Sequence, residues 1–189
     1  MKKQPEKTEL TKKKIMDTFW ELARIRGLLH VTVSEVMKLA GFNRGTFYVY
    51  FSDLNDLIRQ TEEEIQNYIQ EELFTKIDRN SFENPEDFYS RLIKVITRYE
   101  DKLFVLIGSN GDPTFTKKIR EDATVFINNL LGPYMLSDEQ HYIAAYSISA
   151  LIGTLTYWYE QGKRVELREI MKISQKLYIH GVDSLINNP

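Results

Sequence analysis

The chain has 189 residues and a mass of 22.3 kDa, which suits one domain or a small module joined to a larger one. With 42% apolar and 28% charged residues and only 5 prolines, it is neither disordered nor collagen-like. The absence of cysteine excludes disulfides, thiolate zinc sites and cysteine nucleophiles. No apolar run suits a membrane span or a signal peptide, so we expect a cytoplasmic protein without a membrane partner.

The formal net charge of -2 hides an uneven distribution along the chain. Residues 1–60 carry 11 lysines and arginines against 7 aspartates and glutamates, and residues 61–189 carry 14 against 20. A basic amino-terminal segment joined to an acidic body favours nucleic-acid binding at the amino terminus. A solvated lysine-rich surface gives the same count, so charge alone leaves both interpretations open.

Apolar spacing predicts an all-helical protein, because glycines and prolines fall at the breaks and no alternating strand pattern occurs. The first predicted helix ends at Gly27 and has Thr8 or Thr11 as its N-cap. A fourth helix of roughly 25 residues begins after Ser52 or Asp53 and is long enough to connect two bodies. The glutamate runs in that helix are interpreted as solvated faces. Later helices are predicted to begin near Pro85, Pro113, Ser137 and Leu167.

Two short helices between the first and the fourth carry the strongest functional signal. Thr32 followed by Glu35 is a capping box that starts the second helix, and Gly41 ends it. The apolar side of that helix is predicted to consist of Val36, Leu39 and Ala40. Asn43 is the predicted N-cap of a third helix over Arg44–Phe51. Two helices joined by a short turn that begins with glycine are typical of a helix-turn-helix, which places its second helix in the DNA major groove.

The aromatic residues of the third helix divide into a buried pair and an exposed pair. Phe47 and Phe51 lie four residues apart, so we predict that both are buried. Tyr48 and Tyr50 are then predicted to offer their hydroxyl groups to phosphates. Gly45 removes a side chain where the backbone would approach the duplex. The alternative, an ordinary packed corner of a helical protein, gives these hydroxyl groups no role.

The chain resembles the tetracycline-repressor (TetR) family of bacterial transcription regulators. The resemblance rests on Thr32–Val36, Ala40–Phe51 and Leu57, where glycines, aromatic residues and helix caps have the family's spacing. It covers about a third of the chain. It implies an amino-terminal helix-turn-helix head on a larger helical body, a homodimer, a double-stranded DNA operator as partner, and a small-molecule effector instead of a resident cofactor. The expected domains are residues 1–52 for DNA binding and residues 53–189 for regulation and dimerisation.

The resemblance also assigns roles to residues of the head. Phosphate contacts at the start of the second helix are implied for Thr32 and Ser34. The main contacts to the DNA backbone are implied for Thr46, Tyr48 and Tyr50, with Gly45 at the closest approach. Base contacts are implied for Asn43, Arg44 and Val49. Arg44 is the first choice for guanine, because its planar fork matches the O6 and N7 acceptors.

The chain departs from the family pattern at two positions. Many members open the fourth helix with a lysine that binds phosphate, whereas this chain has Leu54. The loss weakens the expected electrostatic part of DNA affinity, and replacement charge is available from Lys12, Lys13 and Lys14. Phe42 stands where valine is frequent, and we expect it to fill the core.

The remaining two thirds of the chain resemble the effector and dimer body of the family more loosely. Small residues four apart and a following apolar helix are expected to pair two chains as a four-helix bundle. The predicted dimer residues are Ala145, Ser149, Gly153, Ile170, Ile173, Leu177 and Gly181. The aromatic residues best suited to line an effector pocket are Tyr99, Phe104, Phe126, Tyr157 and Trp158. Ordinary core packing is the simpler explanation for any one of these aromatic residues.

These observations favour a transcriptional repressor that binds a palindromic operator as a homodimer and responds to a small molecule. No triad spacing, phosphate-binding glycine loop or metal-ligand pattern is found, so we expect neither enzymatic activity nor a metal site. One alternative keeps the fold but makes the protein an activator or coactivator that acts through a protein partner. Another alternative is a small helical binding protein with a vestigial DNA-binding head.

Overall fold

The computed structural model describes residues 5–76, 85–131, 139–178 and 181, and the regular elements in these ranges are helical, as predicted. The helices are α1 (Pro5–Arg26), α2 (Val33–Ala40), α3 (Arg44–Phe47), α4 (Leu54–Ile69), α5 (Pro85–Ile107), α6 (Pro113–Leu131), α7 (Glu139–Glu160) and α8 (Leu167–Leu177). A 3-10 turn at Leu28–His30 separates α1 from α2. The predicted helix start at Ser137 lies outside the described residues.

The chain divides into two compact units. The first contains Met1–Gln66 and Asp101–Asp112, and the second contains Asn67–Glu100 and Pro113–Pro189. The expected DNA-binding segment, residues 1–52, lies within the first unit. That unit also contains the beginning of α4 and the end of α5. A domain boundary at residue 52 remains a prediction.

The core of the first unit forms around apolar residues of α1 to α4. Its largest fully buried side chains include Ile15, Phe19, Met37, Phe47, Phe51 and Leu57. Burial of each such side chain contributes about 1.5–3 kcal/mol relative to exposure. Trp20 Nε1 donates a hydrogen bond to Thr61 Oγ1 at 3.2 Å, and Thr61 Oγ1 donates to the Leu57 carbonyl at 3.0 Å. The Trp20 indole N–H and the Thr61 hydroxyl are therefore both hydrogen-bonded inside this core.

Two expectations about the first helices are wrong. Because α1 begins at Pro5, Thr8 and Thr11 lie inside the helix and are not its N-cap. In α2, Leu39 is 64% exposed, and Met37 is buried instead. At about 100° per residue, Met37 and Ala40 lie on one side of Val36 and Leu39 on the other. The neighbouring helices cover the side that carries Met37, so apolar character alone did not identify the buried face.

The regular part of α4 is shorter than predicted, because it ends at Ile69 and continues as a π-helix over Gln70–Thr75. A π-turn shifts the following side chains around the helix axis. Glu72 is consequently buried, contrary to the interpretation of the glutamate runs as solvated. It forms ion pairs with Lys76 and, at 3.7 Å, with Arg91. The hydrogen bond from Lys76 holds the pKa of the Glu72 carboxyl below its ordinary value.

In the second unit, α7 packs against both α6 and α8. The side of α7 that faces the unit interior carries Ala144, Ile148, Leu155 and Trp158. Trp158 Nε1 donates to the Val165 carbonyl at 2.6 Å, which ties the end of α7 to the segment before α8. Arg120 Nη1 of α6 donates to Ser149 Oγ of α7 at 2.7 Å. Among the described helices, none is both long enough and apolar enough to cross a membrane.

Candidate nucleic-acid interface

The predicted capping box at the start of α2 is present. Thr32 Oγ1 accepts from the Glu35 backbone N–H at 3.3 Å, and the Glu35 carboxylate accepts from both the hydroxyl and the backbone N–H of Thr32. Arg26 Nη1 of α1 donates to the same carboxylate at 2.8 Å. The hydrogen bonds from Thr32, with a smaller effect of Arg26, hold the pKa of Glu35 below its ordinary value. A phosphate contact by the Thr32 hydroxyl therefore requires exchange of its bond to Glu35.

The turn between α2 and α3 has the conformation that the sequence predicts. Gly41 has φ 76° and ψ 30°, a left-handed conformation that costs other residues energy. The Phe42 N–H donates to the Met37 carbonyl at 2.9 Å and closes the helix end. Asn43 is the N-cap of α3, because its Oδ1 accepts from the Thr46 N–H at 3.0 Å and from the Thr46 hydroxyl at 3.1 Å. The angle between α2 and α3 is thus fixed by local hydrogen bonds.

The third helix ends four residues earlier than predicted. After Phe47 the chain forms a turn, in which the Tyr50 N–H donates to the Phe47 carbonyl at 2.9 Å and the Val49 N–H donates to Thr46. Tightening to i, i+3 hydrogen bonds is common at helix ends. The predicted burial of Phe47 and Phe51 is confirmed, and their ring centroids are 5.3 Å apart. These two rings anchor the segment to the core on both sides of the turn.

None of the residues predicted to contact DNA is buried. Those that are exposed are Thr32, Ser34, Asn43, Arg44, Gly45, Tyr48 and Val49, and those that are half-buried are Thr46 and Tyr50. Tyr48 is 50% exposed and Val49 is 55% exposed, although both carry large apolar surfaces. A tyrosine and a valine that stay exposed beside an arginine form a surface suited to contact with a partner.

Sequence reasoning missed a contact within this surface. Arg44 Nη2 donates a hydrogen bond to Tyr48 Oη at 3.1 Å, and Arg44 Cζ lies 5.8 Å from the centroid of the Tyr48 ring. The Tyr48 ring packs edge-on against the buried Phe47 ring, with centroids 5.5 Å apart and an interplanar angle of 84°. The available signal was the spacing of four residues between Arg44 and Tyr48, which brings side chains together on a helix.

Lysines of α1 lie over aromatic rings on either side of α3. Lys12 Nζ is 5.7 Å from the centroid of the Phe51 ring, and Lys14 Nζ is 5.4 Å from that of Phe42. Such distances are typical of cation–π contacts. Phe42 is half-buried, so it fills the core only in part. The contacts place positive charge at both ends of residues 42–51, which we call the recognition segment.

The start of α4 contributes acidic residues instead of a lysine. Ser52 and Asp53 were the two candidates for the N-cap of this helix, and Asp53 is the cap, because its Oδ1 accepts from the Asp56 N–H at 2.8 Å. The Asp56 carboxylate accepts hydrogen bonds from the Ser52 N–H at 3.0 Å and from the Arg59 guanidinium. The hydrogen bond from Ser52 is the main cause of the lowered pKa of Asp56. The backbone N–H groups of Ser52 and Asp56 therefore already donate to carboxylates of the same chain.

The aromatic residues expected to line an effector pocket have separate surroundings. Tyr99 is buried at a non-helical position of α5, with its ring centroid 5.5 Å from that of Tyr68. Phe126 stacks on Phe74 at 4.9 Å. Trp158 is buried in the same unit, whereas Phe104 is buried in the first unit. Tyr157 is 67% exposed, so the structure does not place it in the interior of the chain.

Of the residues expected at the dimer interface, three lie on α7, three lie on α8, and Gly181 follows α8. The exposed ones are Ala145, Ser149, Gly153, Ile173, Leu177 and Gly181, and Ile170 is half-buried. The same side of α7 carries Tyr142, Tyr146 and Tyr157, which are all exposed. Since α7 also has a buried apolar side, the described residues bury one of its two faces and leave the other exposed, apart from the hydrogen bond of Arg120 to Ser149.

A helix-turn-helix in an amino-terminal unit, followed by further helices, is an architecture used by DNA-binding transcription regulators. The chain belongs to the TetR family, since the family described as "Bacterial regulatory proteins, tetR family" matches residues 15–61 and the "Transcriptional regulator C-terminal region" matches residues 83–180. The resemblance seen in the head is therefore confirmed and extends to the body.

Known proteins agree with this assignment. The chain is 30% identical over 108 residues to YvdT, an HTH-type transcriptional regulator of Bacillus subtilis strain 168. That alignment covers 57% of this chain and 51% of YvdT, so the chain spans about half the length of this curated relative. A TetR-family regulator of Syntrophomonas wolfei is similar with a TM-score of 0.72 and 16% identity, over 96% of this chain and 99% of that one. The fatty acid degradation regulator FadR of Bacillus halodurans has a TM-score of 0.69 and 18% identity, over 96% and 98%. At such identities, the two structures show the shared fold.

Proposed function

We propose that the chain is a ligand-responsive transcriptional repressor that binds a palindromic operator as a homodimer. The observation that carries the proposal is the recognition segment, in which Phe47 and Phe51 are buried while Arg44, Tyr48 and Val49 remain exposed. The local hydrogen bonds of Gly41 and Asn43 hold that segment in one conformation. A preformed surface of this kind costs little ordering entropy when it enters a major groove.

In the proposed complex, base edges are read by Asn43, Arg44 and Val49. Arg44 presents a planar fork that matches guanine O6 and N7. The Asn43 side-chain oxygen already accepts two hydrogen bonds, so its amide nitrogen is the group that donates to a base. The hydroxyl groups of Tyr48 and Tyr50 contact phosphates and set the register of the head. Thr32, Ser34 and Thr46 complete the backbone contacts.

The proposed dimer uses the uncovered side of α7 together with α8. The exposed tyrosines and small residues of α7 lie at helical spacing, and Ile173 and Leu177 extend this surface on α8. A beta carbon added at Gly153 would meet nothing within 4 Å among the residues that the structure describes. Packing against those residues therefore does not require glycine, whereas glycine permits close approach of a second helix.

The proposed effector site lies in the second unit, among buried aromatic residues such as Tyr99 and Trp158. Aromatic side chains with a polar tip suit a mainly apolar ligand with one or two polar groups. Effector binding would favour a state of the dimer in which the two heads no longer match the operator spacing. The α4 and α5 helices have residues in both units, so they are the segments that would transmit the change.

The first experiment is a mobility shift with DNA taken from beside the gene, over a series of salt concentrations. We expect saturable binding that weakens steeply with salt, because lysine and arginine contacts to phosphate release counterions. A reporter fused to that DNA should be less active when the protein is present. Higher reporter activity would favour the activator alternative, and no DNA binding at low salt would contradict the proposal.

A further inference from the structure

We propose that Tyr48 is a positioning residue for Arg44, so that its hydroxyl group contributes to base specificity as well as to backbone contact. The inference rests on the proposed function, because it concerns how the DNA-reading arginine is held. It differs from the expectation for a simple phosphate contact, which serves all DNA sequences equally.

The geometry shows how the arginine is restrained. Arg44 Nη2 donates to Tyr48 Oη at 3.1 Å, and the guanidinium carbon is 5.8 Å from the ring centroid. Both side chains are exposed, so packing against the core does not hold Arg44. An exposed arginine samples many rotamers. When it binds a base it loses the rotamers that point away from that base, which costs conformational entropy. The contact with Tyr48 removes part of that cost in advance.

The Tyr48 ring is itself held in place by the buried Phe47 ring. Phe47 is fully buried, and its ring makes an edge-on contact with the Tyr48 ring at 5.5 Å. Phe47 also packs against Phe51, with ring centroids 5.3 Å apart. A chain of contacts therefore runs from the core through Phe47 and Tyr48 to the guanidinium of Arg44. A lysine at position 44 would lack the planar group that meets both the ring and its hydroxyl.

The hydrogen-bonding capacity of the tyrosine allows both roles at once. Tyr48 Oη accepts from Arg44 and retains its own hydrogen, which a phosphate oxygen can accept. Arg44 has five N–H donors, so the bond to Tyr48 leaves enough donors for guanine O6 and N7. A head bound to phosphate through Tyr48 thereby fixes the position from which Arg44 reads its base.

The test compares base discrimination in a matched set of variants. Preferred duplexes are first selected by the full chain from a randomised DNA library, and affinities are then measured for each single-base change. Arg44→Ala should lose discrimination at one base position by roughly 5- to 150-fold. Tyr48→Phe keeps the ring but removes the hydroxyl, and it should reduce discrimination at that same position by roughly 3- to 10-fold.

Two controls separate positioning from other effects. Tyr50→Phe removes the other hydroxyl of the turn, and it should weaken binding to all duplexes without changing the base preference. In the Arg44→Ala background, Tyr48→Phe should cause no further loss of discrimination, since there is no arginine left to position. Thermal unfolding of each variant verifies that the fold is kept.

The outcomes distinguish this inference from the proposed function. If Tyr48→Phe weakens binding equally on every duplex and keeps the wild-type preference, Tyr48 does not position Arg44, although DNA binding stands. If the wild-type chain selects no duplex at all, the proposed function fails and this inference fails with it. Loss of preference in Tyr48→Phe at positions unrelated to Arg44 would likewise overturn the pairing.

Discussion

Gly41 and Gly45 lie four residues apart in the helix-turn-helix, but each is glycine for a different physical reason. Gly41 has a positive φ of 76°, and a beta carbon there would meet nothing within 4 Å among the described residues, so its backbone conformation is what requires glycine. Gly45 lies in α3, where a beta carbon would be 3.4 Å from Asn43 Oδ1, and the residue is exposed. Gly41 therefore serves the fold, and Gly45 is proposed to serve the DNA contact.

Alanine substitutions should separate these two roles. Gly41→Ala should lower the free energy of unfolding by about 1 kcal/mol, because alanine is strained in the left-handed region. Gly45→Ala should change stability by less than about 0.5 kcal/mol, since α3 tolerates alanine, but it should weaken operator binding. Urea unfolding and DNA titration measure the two effects. Full operator affinity in Gly45→Ala would show that the backbone does not approach the duplex there.

At the residue scale, the features that depend only on neighbouring residues could be predicted from the sequence. The Thr32–Glu35 capping box, the left-handed Gly41 and the Asn43 cap each depend on neighbours within a few positions, and all three are present. The Arg44–Tyr48 contact was not predicted, because it depends on which rotamers two exposed side chains adopt. The exposure of Leu39 depends on where other helices pack, which residue type alone does not reveal.

At the scale of elements, Thr61 connects α4 to α1 through one buried hydroxyl group. It accepts from Trp20 Nε1 and donates to the Leu57 carbonyl, and it is fully buried. Thr61→Val keeps the shape but leaves the indole N–H without its acceptor, so we expect a loss of about 1–3 kcal/mol in unfolding free energy. Thr61→Ser keeps the hydroxyl and should cost about 1 kcal/mol.

Denaturant unfolding of both Thr61 variants checks this order. In a Trp20→Phe background the extra cost of valine over serine should shrink, because the indole donor is gone. A valine variant as stable as the wild type would show that the hydroxyl group is not needed to hold α1 against α4.

The lysines of α1 lead to a prediction about salt dependence. Lys12 and Lys14 lie over aromatic rings at the two ends of the recognition segment, and they are the replacement charge expected in the absence of a lysine at position 54. Lys12→Gln and Lys14→Gln should each reduce the slope of log affinity against log salt by ~1, equally for all duplexes. Lys117→Gln in α6 makes the same charge change in the other unit and should leave the slope unchanged. Unchanged slopes in the α1 variants would place the phosphate contacts elsewhere.

Apolar spacing predicted which segments form helices, but it did not predict where these helices are irregular. Apolar spacing predicted neither the early end of α3 at Phe47 nor the π-helix at Gln70–Thr75. The same holds for the non-helical conformation of Tyr99 inside α5. Each irregularity changes which side chains point inward, as the burial of Glu72 shows. Patterns based on a constant 3.6-residue period cannot detect such shifts.

At the scale of the whole molecule, the proposed operator binding requires that two chains associate through α7 and α8. Gly153→Arg should convert a dimer to a monomer of 22.3 kDa, because a long charged side chain enters the helix contact. Stability of the single chain should not fall, since arginine is a better helix former than glycine by about 0.8 kcal/mol. Sedimentation equilibrium and DNA titration should show loss of the dimer together with loss of operator affinity.

A matched control for the dimer variant is Val125→Arg. Val125 is exposed on α6, which is not one of the two helices proposed to pair, so the same arginine should leave the mass and the affinity unchanged. A wild-type chain that sediments as a monomer, or a Gly153→Arg variant that remains a dimer, would contradict the proposed interface. The effector-pocket residues stay a prediction, because aromatic residues serve core and ligand sites alike.

The most direct measurement of the central claim is guanine methylation protection on a duplex selected by the protein. Because methylation occurs at N7 in the major groove, it reports whether the recognition segment enters that groove. We expect two protected half-sites about 34–36 Å apart, or a related longer spacing, with Arg44→Ala exposing one guanine in each. Bound DNA with no protected guanine at all, or with a single unrepeated patch, would contradict a dimer that reads DNA through this segment.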